Sequence, residues 1–243
     1  MKTFLIIVLG LALFSCSSDE PTPKTNDPLY EDPLEGLPDK GPVRFDNPEI
    51  GQRSYYTFFE ATEDNSSHEV SFNYTADTLV LAITGQESGK WIVKEFLTQA
   101  SNSKTSDDGY WSSVPDSVIV RYLEFENDSV YFSKPTEADP FSFVFVGNKI
   151  TLPLSPVDDP APLNPDCLPM FGLGSTIWMQ YTVNYSQHGQ TFDHLNNYFD
   201  YRAMTYDGLG FMYAYEPSYG IVRWTWVSYW SWDQANGWDL IPK

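Results

Sequence analysis

Between Arg223 and Trp238 the chain carries five of its eight tryptophans: Trp224, Trp226, Trp230, Trp232 and Trp238. Side chains alternate faces along a β-strand, so Trp224 and Trp226 share one side, and Trp230 shares a side with Trp232 if the strand runs on. Five indoles within 15 residues exceed what one strand's inner face usually takes, which leaves some for the surface. Asp200, Asp207, Asp233, Gln234, Asn236 and Asp239 lie nearby. Exposed indoles stack on the C–H faces of pyranose rings, and carboxylates and amides take the hydroxyls in paired contacts. The segment therefore has the chemistry of a glycan site, with the five tryptophans as its ligand-binding residues. The same rings equally suit the core of a β-domain, because large aromatics dominate core energetics.

Other clusters carry less. His188 and His194 with Asp193 between them are candidate metal ligands, but no Cys or Glu stands at a spacing that metal sites favour, and Gly189 with its polar neighbours reads as a solvated loop. Asp107-Asp108-Gly109 and Asp158-Asp159 are acidic loops without the Asp-x-Asp-x-Asp-Gly spacing of an EF-hand. No Gly-x-Ser-x-Gly elbow, His-Glu-x-x-His, P-loop or Gly-x-Gly-x-x-Gly is present, so no cofactor or metal is expected and no catalytic residue is nominated. With 33 Asp and Glu residues, a carboxylate pair of the glycosidase kind cannot be picked from sequence.

The elements that must position these residues read as strands. Short runs of β-branched and aromatic residues alternate with turn residues, and no long stretch has helical periodicity. The expected strands are Arg53–Glu60, Glu69–Tyr74, Thr78–Thr84, Trp91–Thr98, Ser117–Phe125, Ser129–Ser133, Phe141–Val146 and Lys149–Leu154. After a proline-rich stretch from Pro153 to Pro169 come Thr176–Tyr185, Tyr198–Tyr206, Leu209–Tyr215, Ile221–Val227 and Trp238–Ile241. Ile92/Phe96 and Val93/Leu97 would also suit a helix, but a Gly-bounded turn before Trp91 favours a hairpin. Turns are expected at Glu63-Asp64-Asn65, Ala76-Asp77, Gly85 to Gly89, Asn127-Asp128, Gly147-Asn148, Asp207-Gly208 and Pro217 to Gly220. The fold class is all-β: a mostly antiparallel β-sandwich or an up-and-down, lipocalin-like barrel. Residues 49–243 are expected to form a single β-domain, with 155–172 as a place where it could subdivide, because about 70 residues make a small independent β core.

Formal net charge is −19, which argues against nucleic acid and against polybasic membrane contact, since both need a cationic surface. Residues 1–15 combine Lys2, the apolar run Phe4 to Phe14 and the small Ser15. That is the pattern of an export signal, too short for a spanning helix of ~20 apolar residues. Leu13-Phe14-Ser15-Cys16 resembles the lipobox of bacterial lipoproteins, although Phe14 is bulkier than usual at its position. The resemblance implies a thioether-linked lipid on Cys16 and cleavage before it, leaving Cys167 as a buried small hydrophobe without an intrachain partner. Asp19 and Glu20 behind two serines resemble the surface-export tag of Bacteroidota-type lipoproteins, which implies the outer membrane and outward display. Residues 16–48, dense in Pro, Asp and Glu, read as an extended, disordered tether.

Asp77-Thr78-Leu79, Asp116-Ser117-Val118 and Asp128-Ser129-Val130 each resemble the Asp-Ser/Thr-aliphatic O-glycosylation motif of the same phylum, and each also fits a turn leading into a strand. Taken together, these features lead to a non-catalytic envelope lipoprotein that meets the membrane through its lipid and binds a ligand, a glycan first. The alternatives are an interaction subunit meeting another envelope protein, a glycosidase, and a lipocalin-like carrier of an apolar ligand.

Overall fold

Turn chemistry sets the connectivity. Ser88-Gly89, Asn127-Asp128 and His188-Gly189 each have positive φ at both positions, the left-handed pair that joins two antiparallel strands through a two-residue turn. The computed structural model of the chain describes residues 32–64, 66–67, 70–99, 118–134, 149–156, 177–200, 209–228 and 234–242. Among them lie eleven strands: β1 (Arg53–Glu63), β2 (Val70–Glu87), β3 (Lys90–Gln99), β4 (Ile119–Glu126), β5 (Ser129–Ser133), β6 (Lys149–Pro153), β7 (Ile177–Gln187), β8 (Gln190–Asp200), β9 (Leu209–Glu216), β10 (Gly220–Ser228) and β11 (Gln234–Ile241).

All eleven belong to one antiparallel sheet in the order β6-β5-β4-β3-β2-β1-β11-β10-β9-β8-β7. Each neighbouring pair is consecutive in sequence except β1–β11. The fold is thus two meanders joined at one seam, where Phe58 faces Trp238 and Tyr55 faces Ile241.

The sheet is not flat. Eight positions separate β6 from β9, about 38 Å at the usual strand spacing. Yet the Tyr215 hydroxyl on β9 donates to the Pro153 carbonyl on β6 at 2.8 Å, and Asn196 Nδ2 on β8 donates to Ser155 O at 3.0 Å. The two flanks therefore curl toward each other into a half-barrel. Phe45, upstream of β1, fills the space between them, its ring 5.7 Å from Phe132 and 6.4 Å from Tyr215.

The expected all-β, antiparallel class holds, in the form of a single curled sheet, and Trp91–Thr98 is a strand. Three expectations need correction. Ala76-Asp77 is not a turn: β2 runs unbroken, and its pairing with β1 jumps from Thr57↔Thr78 to Phe59↔Tyr74, a bulge that absorbs the turn-forming residues. The tether does not extend to residue 48, because Val43 and Phe45 are 1% and 2% exposed, and Val43 N and Phe45 N donate to Ser54 Oγ and Pro217 O. The loop expected around His188 and His194 is confined to His188 and Gly189, the exposed two-residue turn of the β7–β8 hairpin, while His194 lies on β8. Phe141–Val146 and the leader with Cys16 lie outside the described residues.

One row of aromatics crosses the seam. Tyr198, Tyr213, Trp224, Trp238 and Phe58 are successive register partners on β8, β9, β10, β11 and β1. All are buried. Gly237 on the other face is required by close approach: a Cβ there would stand 2.1 Å from Trp224 O and 2.6 Å from the Phe59 ring.

The hydroxyl of Tyr56 donates to Ile221 O at 3.1 Å across this interior. Burial raises its pKa, and the Glu95 charge adds to the effect. Burial also raises that of Tyr215. A phenol whose folded pKa lies above the unfolded value of about 10 contributes stability that is fully present below pH 10 and is lost as pH rises toward the folded value. Denaturant midpoints should hold from pH 7 to 9 and fall steadily above 10, while phenolate absorbance from these two rings appears only with unfolding. Their ionisation in the intact fold near pH 10 would contradict the placement.

Candidate functional site

Alternation along β1 sends Ser54, Tyr56 and Phe58 into the half-barrel, while Arg53, Tyr55 and Thr57 keep partial exposure on the opposite face. At the start of this outward row lies a cleft of about 130 Å³. Tyr55 and Arg53 line it from β1 and Ile241 from β11, with Gln190 from the β7–β8 hairpin, Tyr219 from the β9–β10 turn and Pro42 from the upstream segment. The segment is held there by backbone bonds from Arg53 N to Gly41 O at 2.7 Å and from Lys40 N to Gly51 O at 3.1 Å.

The polar groups are partly committed. Arg53 donates one guanidinium N–H to Leu37 O at 2.6 Å, which fixes its plane. Its buried Nε has no hydrogen-bond partner among the described residues, and the Asp39 carboxylate stands 3.9 Å off. Gln190 Nε2 donates to the Tyr219 hydroxyl at 3.3 Å. Two half-buried phenol rings, an oriented guanidinium and an amide thus converge beside the apolar Leu240, Ile241 and Pro242. That is a stacking surface with fixed donors. It is smaller than the ~300–1,000 Å³ pockets that engulf a drug-sized ligand, so it takes one end or one ring of a larger molecule.

Of the five nominated tryptophans, Trp224 and Trp238 are 0% and 1% exposed, in the aromatic row across the seam. They are core residues, and no ligand can stack on them from solvent. Trp226 is on β10 opposite Asn236, with its side chain outside the described set. Trp230 and Trp232 lie outside it altogether. Of their polar neighbours, Asp239 is fully buried, where both oxygens accept from Arg223 at 2.6 Å. Burial disfavours the Arg223 charge, but the Asp239 carboxylate more than offsets this, and the pKa of Arg223 is raised.

His194 lies on β8 with its ring parallel to that of Tyr181 at 5.2 Å. Among the described residues no three His, Cys, Asp or Glu side chains gather as metal ligands. The cleft residues escaped the sequence reading because they come from five separated parts of the chain: the segment before β1, β1, the β7–β8 hairpin, the β9–β10 turn and β11. The one available signal was Tyr219, an aromatic placed on a tight turn.

No family model matches the chain, and no curated protein or solved structure shows significant similarity to it.

Trp224→Ala and Trp238→Ala should each lower unfolding free energy by about 3–5 kcal/mol, the cost of emptying a large aromatic site in a core. Equilibrium denaturation tests this. Losses under 1 kcal/mol would place the indoles at the surface.

Proposed function

We propose that the protein is a non-catalytic, lipid-anchored protein of the cell envelope, displayed at the outer membrane, that binds a glycan in the cleft at the start of β1. The observation that carries this reading is the meeting of Tyr55 and Tyr219 with Arg53 and Gln190 in one cleft. Phenol rings offer faces for pyranose C–H groups. The Arg53 guanidinium offers N–H donors and is held in place by Leu37 O, and the Gln190 amide is fixed by its bonds to Thr191 O and the Tyr219 hydroxyl, so little side-chain entropy remains to be lost on binding. These are groups for holding a molecule, not for breaking a bond.

The export region supports the location. The lipobox-like Leu13-Phe14-Ser15-Cys16 and the acidic Asp19-Glu20 are the features that point to a lipidated, outward-facing chain. Packing that begins by Pro33 and Leu34 leaves a shorter tether than residues 16–48. In this reading the ligand is neutral, because a chain of net charge −19 repels polyanions at long range.

The test is retardation of the full-length chain, in detergent, on native gels containing a panel of neutral and acidic polysaccharides. One neutral polysaccharide should retard the parent, and Tyr55→Ala and Tyr219→Ala should each weaken retention at least about tenfold while a cooperative unfolding transition is retained. Retention unaffected by either variant would remove the cleft as the site. Retention by none of the panel would favour the envelope-subunit alternative.

A further inference from the structure

The outward face of β1 does not stop at Tyr55. Thr57 follows about 7 Å along the strand and donates from Oγ1 to Thr75 O at 3.1 Å. One step further, the register sets Tyr74 of β2 beside Phe59. Tyr74 is 41% exposed, yet its hydroxyl donates inward to Asp239 Oδ2 at 2.7 Å. A tyrosine anchored in this way shows solvent its ring and not its polar tip, and the ring cannot swing away.

Its neighbours are also aromatic. The His188 ring meets it edge-on at 4.9 Å and 63°, and the partly buried Phe72, two residues along β2, lies nearly parallel at 19° with centroids 6.4 Å apart. His188 and Gln190 flank Gly189 at the tip of one hairpin. The first touches Tyr74 and the second lines the cleft. A single rigid turn therefore borders both places, and both lie on the same face of the sheet.

We infer that Tyr74 with His188 forms a second stacking subsite in line with the cleft, so that the ligand is a neutral oligosaccharide lying along β1 and not a single sugar. This rests on the cleft being a glycan site. Tyr55 supplies one platform and Tyr74 the next, with the partly exposed Thr57 between them. The Asp239 bond makes Tyr74 a preorganised platform, since its ring is held before any ligand arrives.

The experiment uses the full-length chain and oligosaccharides cut from the retained polysaccharide, graded from mono- to hexasaccharide, with affinities measured by titration calorimetry. Affinity of the parent should climb roughly tenfold beyond the shortest ligands, the scale of one added aromatic contact. Tyr74→Leu should abolish that climb while leaving the shortest ligand unchanged. His188→Ala, at an exposed turn, should reduce it. Tyr74→Phe keeps the ring and should keep most of it. Affinity that does not depend on length, or a climb that survives both Tyr74→Leu and His188→Ala, overturns the second subsite and leaves the cleft standing. Binding lost in Tyr74→Leu for ligands of every length would also overturn it, as damage to the fold. Failure of any glycan to bind the parent overturns the reading on which it rests.

Discussion

Arg223 and Asp239 face each other across β10 and β11 with both charges withdrawn from water, at 2% and 0% exposure. Two parallel N–H···O bonds of 2.6 Å join them. The guanidinium lies over Phe72, Phe59 and Tyr185 at 4.6, 5.1 and 5.6 Å, and Tyr74 donates a further bond to Asp239. Taking two ions out of water costs several kcal/mol each, and only a fully bonded geometry repays it. The geometry is met by residues from β1, β2, β7, β10 and β11. The ion pair itself lies within one meander, between β10 and β11, and Phe59, Phe72 and Tyr74 of β1 and β2 carry the network across the one place where neighbours are not consecutive in sequence, so it is complete only when the two meanders are paired in register.

Much else follows from that seam. On the opposite face the aromatic row from Tyr198 to Phe58 crosses the same strands, so the seam is packed from both sides. The β7–β8 hairpin lies over the ion pair, with Tyr185 bonded to Gln187 at 3.0 Å and Gln187 Nε2 donating to Leu240 O at 3.2 Å. Gly237 has no side chain because Phe59 and the Trp224 carbonyl occupy the space. The cleft sits at one end of the seam, between Tyr55 of the first strand and Ile241 of the last. Its walls are thus set by long-range pairing and not by any local segment.

Strand positions were largely legible because runs of β-branched and aromatic residues bounded by turn residues are a local signal, as in Ser129 to Ser133. The hairpin turns with Gly or Asn-Asp were legible for the same reason. β8 was seen only at its end, since Thr191, Asp193, His194, Asn196 and Asn197 dilute the apolar pattern that a strand shows. Ala76-Asp77 has turn chemistry, but β1 pairs with both sides of it, and a bulge satisfies that chemistry without reversing the chain. Trp224 and Trp238 were misplaced where the density of indoles was taken for surplus. The sheet curls and buries these two in the row from Tyr198 to Phe58, which no count of indoles reveals. The carboxylate of Asp239, grouped with exposed polar residues, is instead the partner of one of the few basic residues in the chain.

The most direct test of this account is a double-mutant cycle on the buried ion pair beside the seam, with Arg223→Leu, Asp239→Leu and the pair compared by equilibrium denaturation of the full-length protein. Either single change strands a charge or its ring-lined cage and should cost about 3–5 kcal/mol, while the pair should recover most of that loss, because removing both charges also removes the need to bury them. Single losses near zero, or a pair whose loss equals the sum of the two, would show that this face of the seam does not depend on the buried ion pair and the contacts built on it.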